Sequence, residues 1–428
     1  MSSERKMLSF SAFFVLCLIG GSMWYYIPKK NAENAFEDAK FFFKSASKTI
    51  VRSFYQKACD GEVMLGCYQL GFLEDKLGNK TEAKKMWQKA CDGGEMGGCY
   101  ILGILEDSSG NKKEARRFFQ KGCSRGEMRG CIYLGFLGGV SGSKTEARRL
   151  FEKACDGSAM DGCTGLGNLE RESGNKTEAR RLFQKACHDG EMSGCNNLGL
   201  LEDESGNKAE ARRLYQKACD VGDIIGCLFR ARLEYESGNK KEARSLYQKA
   251  CAGEEMNGCV GLGTLELESA NETKARRLYQ LACNGEEMNG CTHLGHLEHQ
   301  SGNKTKARRL YQKACDGEDM NGCRYLGNLE YELGNYKEAR TIYQKVCDGG
   351  EMNACIGLGN LEYELGNKKE ARTIYQKACD GANMEGCAGL GVLEDESGKK
   401  REAKRLFQKA CDGGEMSGCA ELGILKLK

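Results

Sequence analysis

The stretch Met320–Glu351, M-N-G-C-R-Y-L-G-N-L-E-Y-E-L-G-N-Y-K-E-A-R-T-I-Y-Q-K-V-C-D-G-G-E, decides the fold. Cys323, Leu326, Gly327 and Leu329 recur at helical spacing and predict one buried stripe on a first helix. Leu333-Gly334-Asn335 breaks that helix, because Gly and Asn tolerate the left-handed backbone at a helix end. Ala339, Ile342, Tyr343, Val346 and Cys347 then make the stripe of a second helix, and Asp348-Gly349-Gly350 turns the chain into another unit.

Outward from this stretch the same unit recurs every 32 residues without an insertion. One cysteine series runs Cys59, Cys91, Cys123, Cys155, Cys187, Cys219, Cys251, Cys283, Cys315, Cys347, Cys379 and Cys411. A second follows eight residues behind each: Cys67, Cys99, Cys131, Cys163, Cys195, Cys227, Cys259, Cys291, Cys323, Cys355, Cys387 and Cys419. Only Cys17 of the 25 cysteines stands outside this frame. Eleven of the 15 methionines share one slot, Met64 to Met416, where a thioether would fill the gap between stacked hairpins. An aromatic slot, Tyr55, Trp87, Phe119 and onward to Phe407, reads as core. In eight units the second helix begins with a capping-box pattern such as Asn79 to Glu82, which Lys274 and Lys306 interrupt after Asn271 and Asn303.

The whole chain of 428 residues has 64 Lys+Arg against 61 Asp+Glu, a net charge of +3. That balance lacks the basic excess needed to neutralise phosphates, so nucleic acid is excluded as the expected partner. The strict order of the apolar positions excludes low-complexity disorder.

Leu70, Gly71, Ala83, Trp87 and Ala90 match the small-and-large signature of tetratricopeptide repeats, and L-G-N-Y-K-E-A-R-T-I-Y-Q-K resembles the hairpin of that family. The joint K-A-C-D-G-G-E-M-S-G-C-A-E-L-G is similar to Sel-like repeats, in particular to secreted cysteine-rich members in which two cysteines staple adjacent helices. The resemblance covers about residues 50 to 428 and implies an all-α, α/α superhelical solenoid of about twelve helix-turn-helix repeats. The expected organisation is an N-terminal targeting segment at 1–30, degenerate capping helices at 31–58, and a Cys-rich solenoid at 59–428 that ends in a half repeat.

Cysteine pairs serve metal, redox chemistry or structure. Four histidines in the whole chain and no further ligand at the repeat period make zinc a poor fit, so no metal and no cofactor is expected. A C-x7-C pair that ends one helix and begins the next can close as a disulfide, which predicts twelve local bridges from Cys59–Cys67 to Cys411–Cys419. Bridges in that number require an oxidising compartment. Met7–Ile27 is 21 residues without a charge, flanked by Arg5-Lys6 and Lys29-Lys30, and reads as a signal anchor or a cleavable signal peptide. The expected location is extracytoplasmic: membrane-anchored in the periplasm or at the cell surface, or secreted if the segment is cut.

Ser-x-x-Lys recurs with Ser173, Ser205, Ser237 and Ser301, and again as Ser45 with Lys48. Cysteine-rich Sel-like relatives suggest a β-lactamase or penicillin-binding-type hydrolase as the alternative function. The Ser-Asp-Asn and Lys-Thr-Gly elements of that chemistry are missing, and the motif falls in the inter-helix turn, so the reading is non-enzymatic. His293, His296 and His299 could share a metal on one helix, with surface decoration as the simpler reading. Ten glutamates in one slot, Glu74 to Glu394, read as repeated structural bridges, for instance Glu330 with Arg340.

By analogy with tetratricopeptide repeats, the frame-free positions of the first helices line a concave recognition surface for a protein or extended peptide. They include Tyr68, Tyr100, Asn168, Asn196, Asn197, Arg232 and Tyr235. The expected ligand contacts concentrate at Arg324, Tyr325, Asn328, Tyr331, Asn360 and Tyr363, where adjacent units repeat an amide and a phenol one period apart. Arg230-Ala231 replaces the Leu-Gly of every other unit and marks a distortion or a special contact.

Overall fold

Each 32-residue unit contains two turns of the same kind, and those turns set the helix length. After a first helix, Asn79 N–H returns to Glu74 O at 2.9 Å and Gly78 N–H to Asp75 O at 2.9 Å, with Gly78 at φ +84°. After a second helix, Val63 N–H returns to Ala58 O at 3.0 Å, with Glu62 at φ +64°. Both are left-handed closures that satisfy the last carbonyls of the helix. Helices of 13 residues alternate with three-residue turns as a result, for example Met64–Lys76 followed by Lys80–Asp92.

The structure, a computed structural model, describes residues 48–140 and 143–427. Among the described residues there are 24 α-helices and no strand, which is the all-α repeat architecture the periodicity calls for. The proposed N-terminal targeting segment lies outside the described residues. None of the described helices is long and apolar enough to cross a membrane. Lys48–Asp60, which falls in the expected capping region, already carries a second-helix stripe: Val51, Tyr55, Ala58 and Cys59 are buried.

The described residues fall into two compact units, divided between Leu201 and Glu202, and each is a stack of helix pairs. Within a unit the first helices of neighbouring repeats pack on one another, as Met288–Gln300 does on Met320–Glu332, whereas second helices touch chiefly their flanking first helices. The first helices therefore line the inner face of each stack.

Packing explains the frame. A Cβ built on Gly327 would stand 2.7 Å from the Tyr343 ring, so the Gly slot admits the aromatic of the paired helix. Met352 fills the space beside Gly381 of the next turn, which is the gap-filling role expected of the methionine slot. Twelve disulfides join the end of each second helix to the first turn of the following helix, from Cys59–Cys67 to Cys411–Cys419, with Cα separations of 4.4 to 4.7 Å. A bridge closing a loop of this length contributes about 2.5 kcal/mol by restricting the unfolded chain, a large share for repeats that have only neighbours to pack against.

Two expectations need correction. The glutamate slot bridges repeats rather than closing within one: Arg308 pairs with Glu330, and Arg340 reaches forward to Glu362 through Nε at 2.5 Å and Nη2 at 2.6 Å. The cause is geometric, since the carboxylate of a first helix faces the second helix of the preceding repeat. The capping box also fails to form at most of its sites. Asn79 makes no side-chain cap and instead donates from Nδ2 to Glu74 Oε2 at 2.8 Å, and Asn335 and Asn367 do the same to Glu330 and Glu362 at 2.7 Å. A buried carboxylate without donors costs more than an exposed helix amide left to water, so the asparagine turns inward. Lys274 and Lys306, which break the capping pattern, reach the buried Glu266 and Glu298 at 2.9 and 2.8 Å.

Candidate binding face on the first helices

A first helix turns its Cys, Leu, Gly and Leu inward and leaves four slots open, held in one repeat by Arg324, Tyr325, Asn328 and Tyr331. In the first unit these slots form a groove of ≈ 420 Å³ across four successive first helices. Its wall is Tyr100, Tyr133 and Phe136; its floor is Ile132, Thr164, Gly165, Asn168 and Asn197; Arg129, Asp161 and Ser193 lie toward one end. Tyr133 and Phe136 are 37% and 51% exposed, high for aromatic rings in so ordered a frame.

The rings brace each other. Tyr133 meets Tyr100 edge-on at 5.4 Å between centroids and stacks on Phe119 at 5.4 Å, and Phe136 meets Phe151 edge-on at 5.0 Å. Arg129 lies 4.6 Å over the Tyr100 ring and forks onto Glu127 at 2.8 and 3.1 Å, a bond that raises its pKa further. Burial, aided by the hydrogen bond with Tyr133, pushes the Tyr100 phenol up to about 12. Partial desolvation at the groove's edge and the adjacent Glu191 carboxylate raise the Asp161 carboxyl above its ordinary value. Asn168 Oδ1 is buried in the groove without a hydrogen-bond donor.

In the second unit the residues singled out from the sequence lie on the same face, engaged with their neighbours. Arg324 covers the Tyr325 ring at 4.4 Å, and Tyr325 stacks on Tyr311 at 5.6 Å. Asn328 Oδ1 accepts from the Tyr343 hydroxyl at 2.7 Å and Asn360 Oδ1 from Tyr375 at 2.6 Å. The Tyr331 and Tyr363 hydroxyls donate to Glu364 and Glu396 of the following repeats, and Lys368 completes the second of these at 2.8 Å. The regular amide and phenol pattern is thus largely bound up in the frame.

The other candidates are equally engaged. Ser173, Ser237 and Ser301 hydroxyls donate to the carbonyls of Leu169, Leu233 and Leu297 at 2.7 to 2.8 Å, closing the ends of their helices. Lys240 and Lys304, the lysines of two of these motifs, pair with Glu268 and Glu332 at 2.8 and 3.2 Å. The three histidines take separate partners: His293 stacks on Tyr279 at 5.0 Å, His296 meets Gln300 at 3.0 Å, and His299 meets Glu332 at 3.0 Å. Burial within the inner face, with His296 alongside, lowers the pKa of His293. Arg230 occupies its leucine slot by bridging to Glu242 at 3.1 Å and Glu234 at 3.9 Å.

Sequence reasoning named Tyr100, Asn168 and Asn197 among the variable positions but missed Arg129, Tyr133, Phe136 and Asp161. The signal was present: Tyr68, Phe72, Tyr100, Tyr133 and Phe136 gather aromatics into open slots of three consecutive repeats.

The Sel1 repeat profile matches residues 60–127, 129–158, 162–191, 233–254, 259–286, 291–319 and 385–415, and tetratricopeptide repeat profiles match 192–222 and 326–383. No curated protein sequence matches the chain. Among solved structures it is similar to a protective antigen of uropathogenic Escherichia coli displaying an SLR fold, at 21% identity over 91% of this chain and 90% of that one, TM-score 0.48. It is similar to yeast Tom70 at 13% identity over 86% and 96%, TM-score 0.50, and to a Sel1 repeat protein from Oxalobacter formigenes at 14% identity over 62% and 86%, TM-score 0.44. Helical repeats of this class serve protein–protein interaction.

Proposed function

Because the chain belongs to the Sel1 repeat family, we propose that it is an extracytoplasmic scaffold that holds an extended segment of a partner protein on the inner, first-helix face. The observation that carries this reading is the groove of the first unit, whose wall and floor come entirely from open slots of successive first helices. Aromatic rings beside an arginine and neutral amides are the groups that dominate protein interfaces. Arg324, Tyr325, Asn328, Tyr331, Asn360 and Tyr363 stand in the corresponding slots of the second unit and form the contact surface proposed there, one that offers ring faces and side-chain edges because the Asn amide oxygens and Tyr331 and Tyr363 hydroxyls are already bonded within the frame. Twelve disulfides support an oxidising compartment, and the uncharged Met7–Ile27 segment supports delivery across, or attachment to, a membrane.

Site-specific photo-crosslinking in intact cells tests the reading. A crosslinker at position 136 or 360 on first helices should capture a defined partner, and one at position 117 or 341 on second helices should not. Capture confined to the second-helix positions would overturn it.

A further inference from the structure

Three features of the first unit's groove call for the same chemistry. Asp161 lines the groove, Glu191 at the head of the next first helix is its acidic neighbour and accepts from Ser193 N–H at 3.2 Å, and among the described residues neither carboxylate has a cationic partner. Arg129, the groove's own cation, is already committed to Glu127 and to the face of Tyr100. Tyr133 and Phe136 present aromatic surface along the groove between the Asn168 and Asp161 ends, and ring faces attract cations. Asn168 Oδ1 offers a buried acceptor seven residues along the helix from Asp161. At 1.5 Å per residue that is about 10 Å, the reach of three residues of extended chain.

We propose that the groove receives a lysine or arginine side chain of an extended partner segment, its stem over Tyr133 and Phe136, its cation at the Asp161–Glu191 end, and a neighbouring backbone N–H on Asn168. This deepens the peptide-binding reading and rests on it. Electrostatics favour the choice: the bound cation relieves the repulsion between two close carboxylates, whereas an acidic side chain would add to it. The second unit supplies an internal control. Glu385 and Glu415 form the equivalent acidic pair there, on a helix whose open slots are Ala388, Gly389 and Val392.

Selection of random dodecapeptides on the full disulfide-bonded chain, followed by titration of the labelled winners, tests the proposal. Winners should carry Lys or Arg at one fixed position. Asp161→Asn and Phe136→Ala, each with wild-type helical content by circular dichroism, should each weaken binding about tenfold, while Glu385→Gln leaves it unchanged. Phe136 is exposed, so its variant keeps the test valid if Asp161→Asn does not fold. Winners without a basic position, or basic winners that bind both variants within twofold of wild type, would overturn the cation assignment and leave peptide binding standing. Failure of any dodecapeptide to bind saturably would overturn both.

Discussion

Asn168 in the first unit and Asn328 in the second occupy the same slot of the repeat with opposite outcomes. Fifteen residues after Asn328 stands Tyr343, whose hydroxyl donates to the amide oxygen at 2.7 Å. Fifteen residues after Asn168 stands Phe183, which has no hydroxyl, and the amide oxygen is left without a donor. One phenolic oxygen separates a frame contact from an open acceptor. A binding surface in a repeat protein is therefore found where a recurring polar residue has lost its recurring partner, and regularity of the pattern marks frame.

The same contrast holds, with more energy at stake, at the glutamate slot. Glu362 is 1% exposed and its charge is met by the Arg340 fork and by Asn367. Elsewhere in the series the hydrogen bonds of Lys84 and Asn111 hold Glu106 below the usual carboxylate range. In one repeat of the first unit the slot is Gly138, and there Arg116 turns to the Leu137 carbonyl at 3.5 Å and Glu146 at 3.6 Å. The largest expected effect follows. Arg340→Ala strands a buried carboxylate and should cost roughly 3 kcal/mol, while Arg116→Ala should cost less than about 0.5 kcal/mol. Native-state hydrogen exchange of the flanking helices reads both, because repeats open locally. Equal costs would show that the bridge does not depend on burial.

An intermediate effect separates the asparagines. Asn328→Leu leaves the Tyr343 hydroxyl buried without an acceptor and should destabilise its repeat by about 1–2 kcal/mol. Asn168→Leu removes an acceptor that has no donor, so exchange rates in the 160–172 and 176–188 helices should stay near wild type. A comparable loss at both positions would mean that Asn168 is frame after all.

The repeat, its helices, the gap-filling methionines and the disulfide pairs were legible in the sequence because each depends on contacts between residues close along the chain. Cys315 and Cys323 meet across a single turn, and Gly327 faces Tyr343 of its own hairpin. The pairing of Arg340 with Glu362 was misread because both intra-repeat and inter-repeat partners recur at the same period, and only three-dimensional stacking selects between them. The Asn79 side chain was misread as a cap for a related reason: the competing acceptor, Glu74, is buried, and burial cannot be read from local spacing. The groove is hard to read from spacing because its aromatics do not recur in adjacent units as Asn328/Asn360 and Tyr331/Tyr363 do: the slot of Tyr133 holds tyrosine again only at Tyr325, and that of Phe136 holds phenylalanine again only at Phe72.

The smallest effect is the sharpest test of the comparison. Tyrosine fills the Phe183 slot seven times, at Tyr55 and in the six successive repeats from Tyr215 to Tyr375, so the packing around that ring tolerates a hydroxyl. Phe183→Tyr should place a donor against Asn168 Oδ1, as Tyr343 does against Asn328, and a new buried hydrogen bond between neutral groups contributes about 1 kcal/mol. The repeat should become more stable by that amount, seen as slower exchange of the 176–188 amides. The same change should withdraw the acceptor from the groove and weaken a bound basic dodecapeptide a few-fold, since its backbone N–H would lose one partner while the aromatic and acidic contacts remain. Stability and affinity must move in opposite directions: a gain in stability with unchanged affinity would keep the amide in the frame and take it out of the binding site.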